Sequence, residues 1–111
     1  MLNRDFQRAP EYKTVTEKEA RRLMEGAEPF TLADVRSREE YDAGHLPGAV
    51  SLPDIQLTQL APRALPDRDR LIFVYCDSGG RSRVAAQVLT ALGYRRVYDL
   101  GGRVPALEKE K

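Results

Sequence analysis

The sequence is poor in the residues that build covalent or metal cross-links. Its 111 residues include one cysteine, one histidine and no tryptophan. A single cysteine cannot form a disulfide within the chain, and one cysteine with one histidine is a poor ligand set for a metal ion. We therefore expect neither a disulfide framework nor a metal site, and the lone cysteine becomes the first candidate for chemistry.

An excess of one charge and a long hydrophobic run are also missing. Eighteen basic and seventeen acidic residues leave a net charge of +1, which excludes recognition of nucleic acid or an anionic membrane by overall charge. The longest apolar run, residues 71–76, is far shorter than the roughly 20 residues that span a bilayer. The first residues are charged and do not resemble a secretory signal. These features predict a cytoplasmic protein with no nucleic-acid or membrane partner.

The composition that remains is that of a globular domain. Apolar residues make up 41% of the chain and charged residues 32%, whereas a disordered chain would contain fewer apolar residues. A chain of this length suits one domain and buries enough surface for one core. We predict a single domain over residues 1–111.

Segments typical of strands alternate with segments typical of helices. The predicted strands cover residues 12–15, 30–35, 49–52, 71–75 and 95–100. Two helices are expected after capping boxes that begin at Thr16 and Ser37, a third over residues 54–65 interrupted by Pro62, and a fourth over residues 82–92. The alternation predicts an α/β fold with a mostly parallel sheet.

The loop after the fourth predicted strand has the composition of an anion cradle. Two glycines permit positive φ angles, so that backbone N–H groups can converge on one point, and the following helix adds unpaired donors. Arg81 adds a cation, whereas Asp77 opposes the effect. The interpretation makes Cys76 the nucleophile and assigns anion binding to Asp77, Ser78, Gly79, Gly80, Arg81 and Ser82. The alternative is that Cys76 is a small buried hydrophobe at the end of a core strand.

A cradled thiolate is compatible with sulfur transfer through a persulfide and with phosphoryl transfer through a phosphocysteine. A phosphoryl group presents three oxygens and needs a wide ring of donors, whereas a persulfide adds one sulfur atom. Four residues separate Cys76 from Arg81, one fewer than in cysteine phosphatases. The short ring favours sulfur chemistry.

The sequence resembles the rhodanese (thiosulfate sulfurtransferase) family, in particular its single-domain members, over about residues 12–103. The resemblance is carried by DVR at 34–36, EEY at 39–41, GHLPGA at 44–49, VYCDSGGRS at 74–82, GY at 93–94 and VYDLGG at 97–102. It implies a five-stranded, mostly parallel sheet with helices on both faces.

The resemblance also implies a mechanism. Cys76 would take the outer sulfur of thiosulfate or another small anionic donor, hold it as a persulfide, and pass it to cyanide, a small thiol or a partner protein. Arg81 would orient the donor and offset the charge on the departing sulfite. No cofactor and no metal are implied, and the sequence does not indicate an oligomeric state.

Four further polar residues lie in or beside these motifs. Asp34 and Arg36 end a predicted strand, and we interpret them as a structural ion pair or loop brace that supports the site. His45 is interpreted as a hydrogen bonder that holds a turn, since attack by a thiolate on sulfane sulfur requires no base. Arg83 either widens the anion site or is simply solvated.

Two features depart from the family pattern. The tryptophan that usually follows the Gly-Gly turn is absent from residues 103–107, and Asp77 stands beside the nucleophile. Asp77 disfavours efficient capture of a dianion such as thiosulfate, and both features are compatible with a protein-borne or uncharged donor. The alternatives to a sulfurtransferase are a binding module with an idle cysteine and, with less support, a phosphatase or arsenate reductase.

Overall fold

Strands and helices alternate along residues 11–102, the part of the chain that this computed structural model describes. The strands are β1 (Lys13–Thr14), β2 (Phe30–Asp34), β3 (Val50–Ser51), β4 (Leu71–Tyr75) and β5 (Val97–Gly101). The helices are α1 (Glu17–Met24), α2 (Arg38–Ala43), α3 (Leu57–Ala64), preceded by a 3-10 turn (Asp54–Gln56), and α4 (Gly80–Ala91).

The five strands form one sheet in the order β1-β5-β4-β2-β3. Every pair of neighbouring strands is parallel. All five residues of β4, a run of apolar β-formers, are buried between β2 and β5. The predicted α/β fold is confirmed, and the predicted mostly parallel sheet is parallel throughout its named strands.

Successive side chains of β4 enter two separate cores. Ile72 and Val74 pack with buried residues of α3 and α4 on one face of the sheet. On the other face, Phe73 and Tyr75 pack with Ala20 of α1, and Tyr41 of α2 lies against the same cluster. Helices therefore cover both faces, as the family resemblance implies.

Both predicted capping boxes are present. The Thr16 hydroxyl accepts the N–H of Glu19 at 3.1 Å, and the Glu19 carboxylate accepts the N–H of Thr16 at 2.8 Å. At the start of α2, the Ser37 hydroxyl accepts the N–H of Glu40 at 3.1 Å, and the Glu40 carboxylate accepts the N–H of Ser37 at 3.0 Å. Each pair satisfies N–H groups that the first turn leaves without partners.

The ends of the predicted strands differ from the observed ones by at most two residues, and two of the predicted helices differ as well. The segment 54–65 changes from a 3-10 turn to an α-helix at Leu57, whereas Pro62 lies inside α3 without ending it. Only two residues of α3 follow Pro62, so the proline removes a backbone hydrogen bond just before the helix ends. The last helix begins at Gly80 instead of Ser82, because Gly79 adopts a left-handed conformation (φ +94°) and serves as its N-cap.

Within residues 11–102, no helix is both long enough and apolar enough to cross a membrane.

Candidate active site

The candidate site lies where the carboxyl ends of the three central strands meet the N-terminus of α4. Cys76 follows the last residue of β4, and its N–H donates to the carbonyl of Gly101 at 2.9 Å. The residue is completely buried, with 0% of its surface exposed. This edge of a parallel sheet is where α/β proteins bind ligands.

The sulfur of Cys76 is held by backbone donors. The N–H of Gly79 points to Sγ at 2.9 Å, and the N–H of Ser82 does so at 3.3 Å. The left-handed Gly79 turns the chain so that both donors converge. Because α4 begins at the next residue, its unpaired N–H groups and partial positive charge favour a negative charge at this sulfur.

The strand that follows α4 closes the back of the loop. Ser78 forms an isolated bridge with Gly102, and a Cβ atom at Gly102 would lie only 2.7 Å from the carbonyl oxygen of Asp77. The hydroxyl of Ser82 donates to the carbonyl of Gly79 at 3.1 Å. These contacts hold the loop in one shape, and the close approach requires glycine at position 102.

Arg81 lies in an ion pair that sequence reasoning did not find. Its Nη1 and Nη2 donate to Oε1 and Oε2 of Glu40, at 2.7 Å and 3.0 Å. This pairing is the largest cause that lowers the pKa of Glu40 to about 2. It also raises the pKa of Arg81, and the charges of Cys76 and Asp54 add to that shift. The charge of Cys76 therefore acts on the Arg81 guanidinium, whose two nitrogens are already bound to a carboxylate.

Asp34 and Arg36 form the structural ion pair that the sequence predicts. Nε and Nη2 of Arg36 donate to the Asp34 carboxylate at 3.0 Å and 2.8 Å, and both residues are buried. Nη2 of Arg36 also donates to the carbonyl of Gly44 at 2.6 Å. The pair joins the end of β2 to the end of α2, and its hydrogen bonds raise the pKa of Arg36.

The hydrogen bonds of Asp34 and Arg36 continue to the loop of residues 76–82, here called the cysteine loop. Nη1 of Arg36 lies 3.4 Å from Oδ1 of Asp77, whose side chain is 48% exposed. The hydroxyl of Tyr75 donates to Asp34 at 2.8 Å and accepts the N–H of Leu46 at 2.9 Å. Burial raises the pKa of this tyrosine, so its hydroxyl keeps its proton. Asp77 therefore faces outward from the loop, against Arg36.

The sequence profile of the rhodanese-like domain matches residues 16–109. The chain belongs to the rhodanese-like family. It is 35% identical over 69 residues to thiosulfate sulfurtransferase PspE of Escherichia coli (strain K12), across 62% of this chain and 66% of that relative. It is 32% identical over 91 residues to thiosulfate sulfurtransferase GlpE of Coxiella burnetii (strain RSA 331 / Henzerling II), across 82% of each chain.

A solved structure extends the comparison to the whole fold. The human single-domain sulfurtransferase TSTD1 superimposes on this rhodanese-like domain with a TM-score of 0.75 and 29% sequence identity. The match covers 88% of this chain and 96% of that one. The rhodanese fold expected from the sequence is confirmed.

The remaining predicted residues of the rhodanese-like domain lie at the edges of this region. Nδ1 of His45 lies 2.8 Å from the carbonyl of Tyr41, and the two rings stack with 3.7 Å between their centroids. His45 thus holds the turn after α2, as predicted. Arg83 is exposed on the first turn of α4, and its N–H donates to the carbonyl of Gly79.

No group of three or more potential metal ligands occurs within residues 11–102 of the rhodanese-like domain. The segment 103–107, which lacks the usual tryptophan, lies outside the described residues.

Proposed function

We propose that this rhodanese-like domain is a sulfurtransferase that works through a persulfide on Cys76. The observation that carries the proposal is the pair of backbone N–H groups, from Gly79 and Ser82, directed at the cysteine sulfur. Relatives named as thiosulfate sulfurtransferases support it. The reaction needs a reduced cysteine, which suits the cytoplasm.

The proposed reaction has two steps and needs no cofactor. The thiolate of Cys76 attacks the outer sulfur of thiosulfate, the sulfur–sulfur bond of the donor breaks, and sulfite leaves with the bonding electron pair. Cyanide then attacks the outer sulfur of the persulfide, thiocyanate forms, and the thiolate returns. A small thiol or a partner protein would replace cyanide as the physiological acceptor, and another persulfide donor can replace thiosulfate.

The loop supplies the electrostatic support for these steps. The backbone from Asp77 to Ser82, including Ser78 and Gly80, surrounds the outer sulfur in this proposal, and Arg81 faces the donor. The buried pair of Asp34 and Arg36 braces the loop instead of reacting, since it holds Asp77 from the side. We assign Arg83 no step, because its side chain is solvated on the surface of α4.

Intact mass spectrometry tests the proposal directly. Incubation with thiosulfate should add one sulfur, about 32 Da, and cyanide should remove it. Because the chain has one cysteine, the addition must disappear in Cys76→Ser. Full thiocyanate formation by Cys76→Ser would overturn the mechanism, and hydrolysis of an aryl phosphate by the wild type would support the phosphatase alternative.

The complete burial of Cys76 favours a second candidate function, a binding module with an idle cysteine. In that case neither thiosulfate nor a small persulfide would add sulfur, and the thiol would resist iodoacetamide at neutral pH. Rapid alkylation that thiosulfate slows would instead favour the enzyme, since a donor and an alkylating agent would then compete for the same sulfur.

A further inference from the structure

The ion pair between Arg81 and Glu40 joins the first turn of α4, which follows the loop of Cys76, to the first turn of α2, which is distant in sequence. Both nitrogens of the guanidinium fork are bound to the two carboxylate oxygens. The side chains are 39% and 36% exposed, so both can reach solvent and a donor. Glu40 also accepts the N–H of Ser37 in the capping box of α2, which fixes its carboxylate in place.

The guanidinium of Arg36 is also bound to carboxylates. Arg36 binds the buried Asp34 and lies 3.4 Å from Asp77. The charge of Asp54 also acts on Arg81. Carboxylates therefore compensate Arg36 and Arg81, and an incoming anion finds neither of these two guanidinium groups free.

We propose that Glu40 is a specificity-determining residue that competes with anionic sulfur donors for Arg81 and so makes the domain favour donors of low negative charge. The proposal rests on the sulfurtransferase function above. A dianion such as thiosulfate would have to displace the Glu40 carboxylate to reach the fork, or bind beside it against its charge. A donor with less negative charge depends less on Arg81 for binding, so the competition with Glu40 lowers its affinity less.

The substitution Glu40→Gln isolates this charge. Glutamine at the third position of the helix can still accept the N–H of Ser37, so the capping box and α2 should be retained. Glu39→Gln is the matched control, because Glu39 is an exposed neighbour in the same helical turn. It removes one negative charge without touching the Arg81 fork.

The first measurement is steady-state thiocyanate formation with thiosulfate, a dianion, and methanethiosulfonate, a monoanion that leaves as methanesulfinate. In Glu40→Gln the carboxylate no longer competes with thiosulfate for Arg81. We therefore expect the KM for thiosulfate to fall roughly two- to fivefold, which corresponds to the free energy of a partly exposed ion pair. The KM for methanethiosulfonate should fall less, kcat should change little, and Glu39→Gln should match the wild type. A helix-capping role alone would not produce this dependence on donor charge.

The second measurement does not depend on turnover. Sulfate, an inert dianion, is titrated into each variant while the amide resonances of Gly79 and Ser82 are followed by NMR. We expect sulfate to bind roughly two- to fivefold more tightly to Glu40→Gln than to the wild type or to Glu39→Gln. An unchanged or weaker affinity in Glu40→Gln, or equal tightening in Glu39→Gln, would overturn the proposal for Glu40. Tighter sulfate binding without any cyanide-labile sulfur would instead overturn the sulfurtransferase function alone.

Discussion

The contact between Gly102 and the cysteine loop provides the sharpest test of how the site is held. A Cβ atom at position 102 would lie 2.7 Å from the backbone oxygen of Asp77 and 3.6 Å from its carbonyl carbon. Ordinary carbon–oxygen contacts are about 3.3 Å or longer, so Gly102→Ala must move one of the two backbones by about 0.6 Å. The obstacle is backbone, which cannot rotate away as a long side chain can.

The size of the effect follows from that displacement. Overpacking of this kind costs about 1–3 kcal/mol, and each kcal/mol lowers the Tm of a domain this size by roughly 4–8 °C. We therefore expect Gly102→Ala to lower the Tm by about 4–24 °C. Because the moved segment carries the donors to Cys76, we also expect thiocyanate formation to fall roughly ten- to hundredfold.

Thermal unfolding by circular dichroism and a thiocyanate assay measure both effects. Gly80→Ala is the matched control, because a Cβ atom there meets nothing within 4 Å and Gly80 has no positive φ. That substitution should leave the Tm unchanged or raise it, since alanine loses less backbone entropy in a helix. A Gly102→Ala variant as stable and as active as the wild type, or an equal decrease of the Tm in both variants, would refute the steric reasoning.

Two further predictions concern polar groups around the site. Tyr75→Phe removes the hydroxyl that donates to the Asp34 carboxylate and accepts the N–H of Leu46. Because both groups are buried and lose this partner, we expect the free energy of unfolding, measured with urea, to fall by about 1–3 kcal/mol. The pKa of Glu40 is lowered from 4.5 to about 2 by Arg81, so the stability from this carboxylate is fully present above pH 4.5. It should be lost as the pH falls from 4.5 towards 2, and Tm measured across that range should converge for the wild type and Glu40→Gln.

Each of these two predictions can be contradicted by a specific result. Tyr98→Phe changes a partly exposed tyrosine that packs on Phe73, and it should cost less than Tyr75→Phe. An equal cost would contradict the role given to the Tyr75 hydroxyl. For the acid titration, a constant Tm difference between Glu40→Gln and the wild type from pH 6 to pH 2 would contradict the assigned pKa shift.

Much of the fold and the position of the sulfur site follow from local patterns in the sequence. Residues 71–75 form a continuous apolar run, which a strand buried on both faces requires, and the structure confirms it as β4. The capping boxes at Thr16 and Ser37 involve partners three residues apart, so local sequence specifies them. The loop from Cys76 to Ser82 is equally local, because a strand, two glycines and a helix start are adjacent along the chain.

The partners of that loop were decided only by the tertiary structure. Glu40 and Arg81 are 41 positions apart, and the same separation divides Asp34 from Tyr75. Such pairs meet because parallel strands bring their carboxyl ends to one edge of the sheet, whatever lies between them in sequence. No helical or strand period marks these contacts. The sequence by itself therefore determined the elements, the family resemblance and the candidate nucleophile, whereas the packing of β2, β4 and β5 determined which charges surround it.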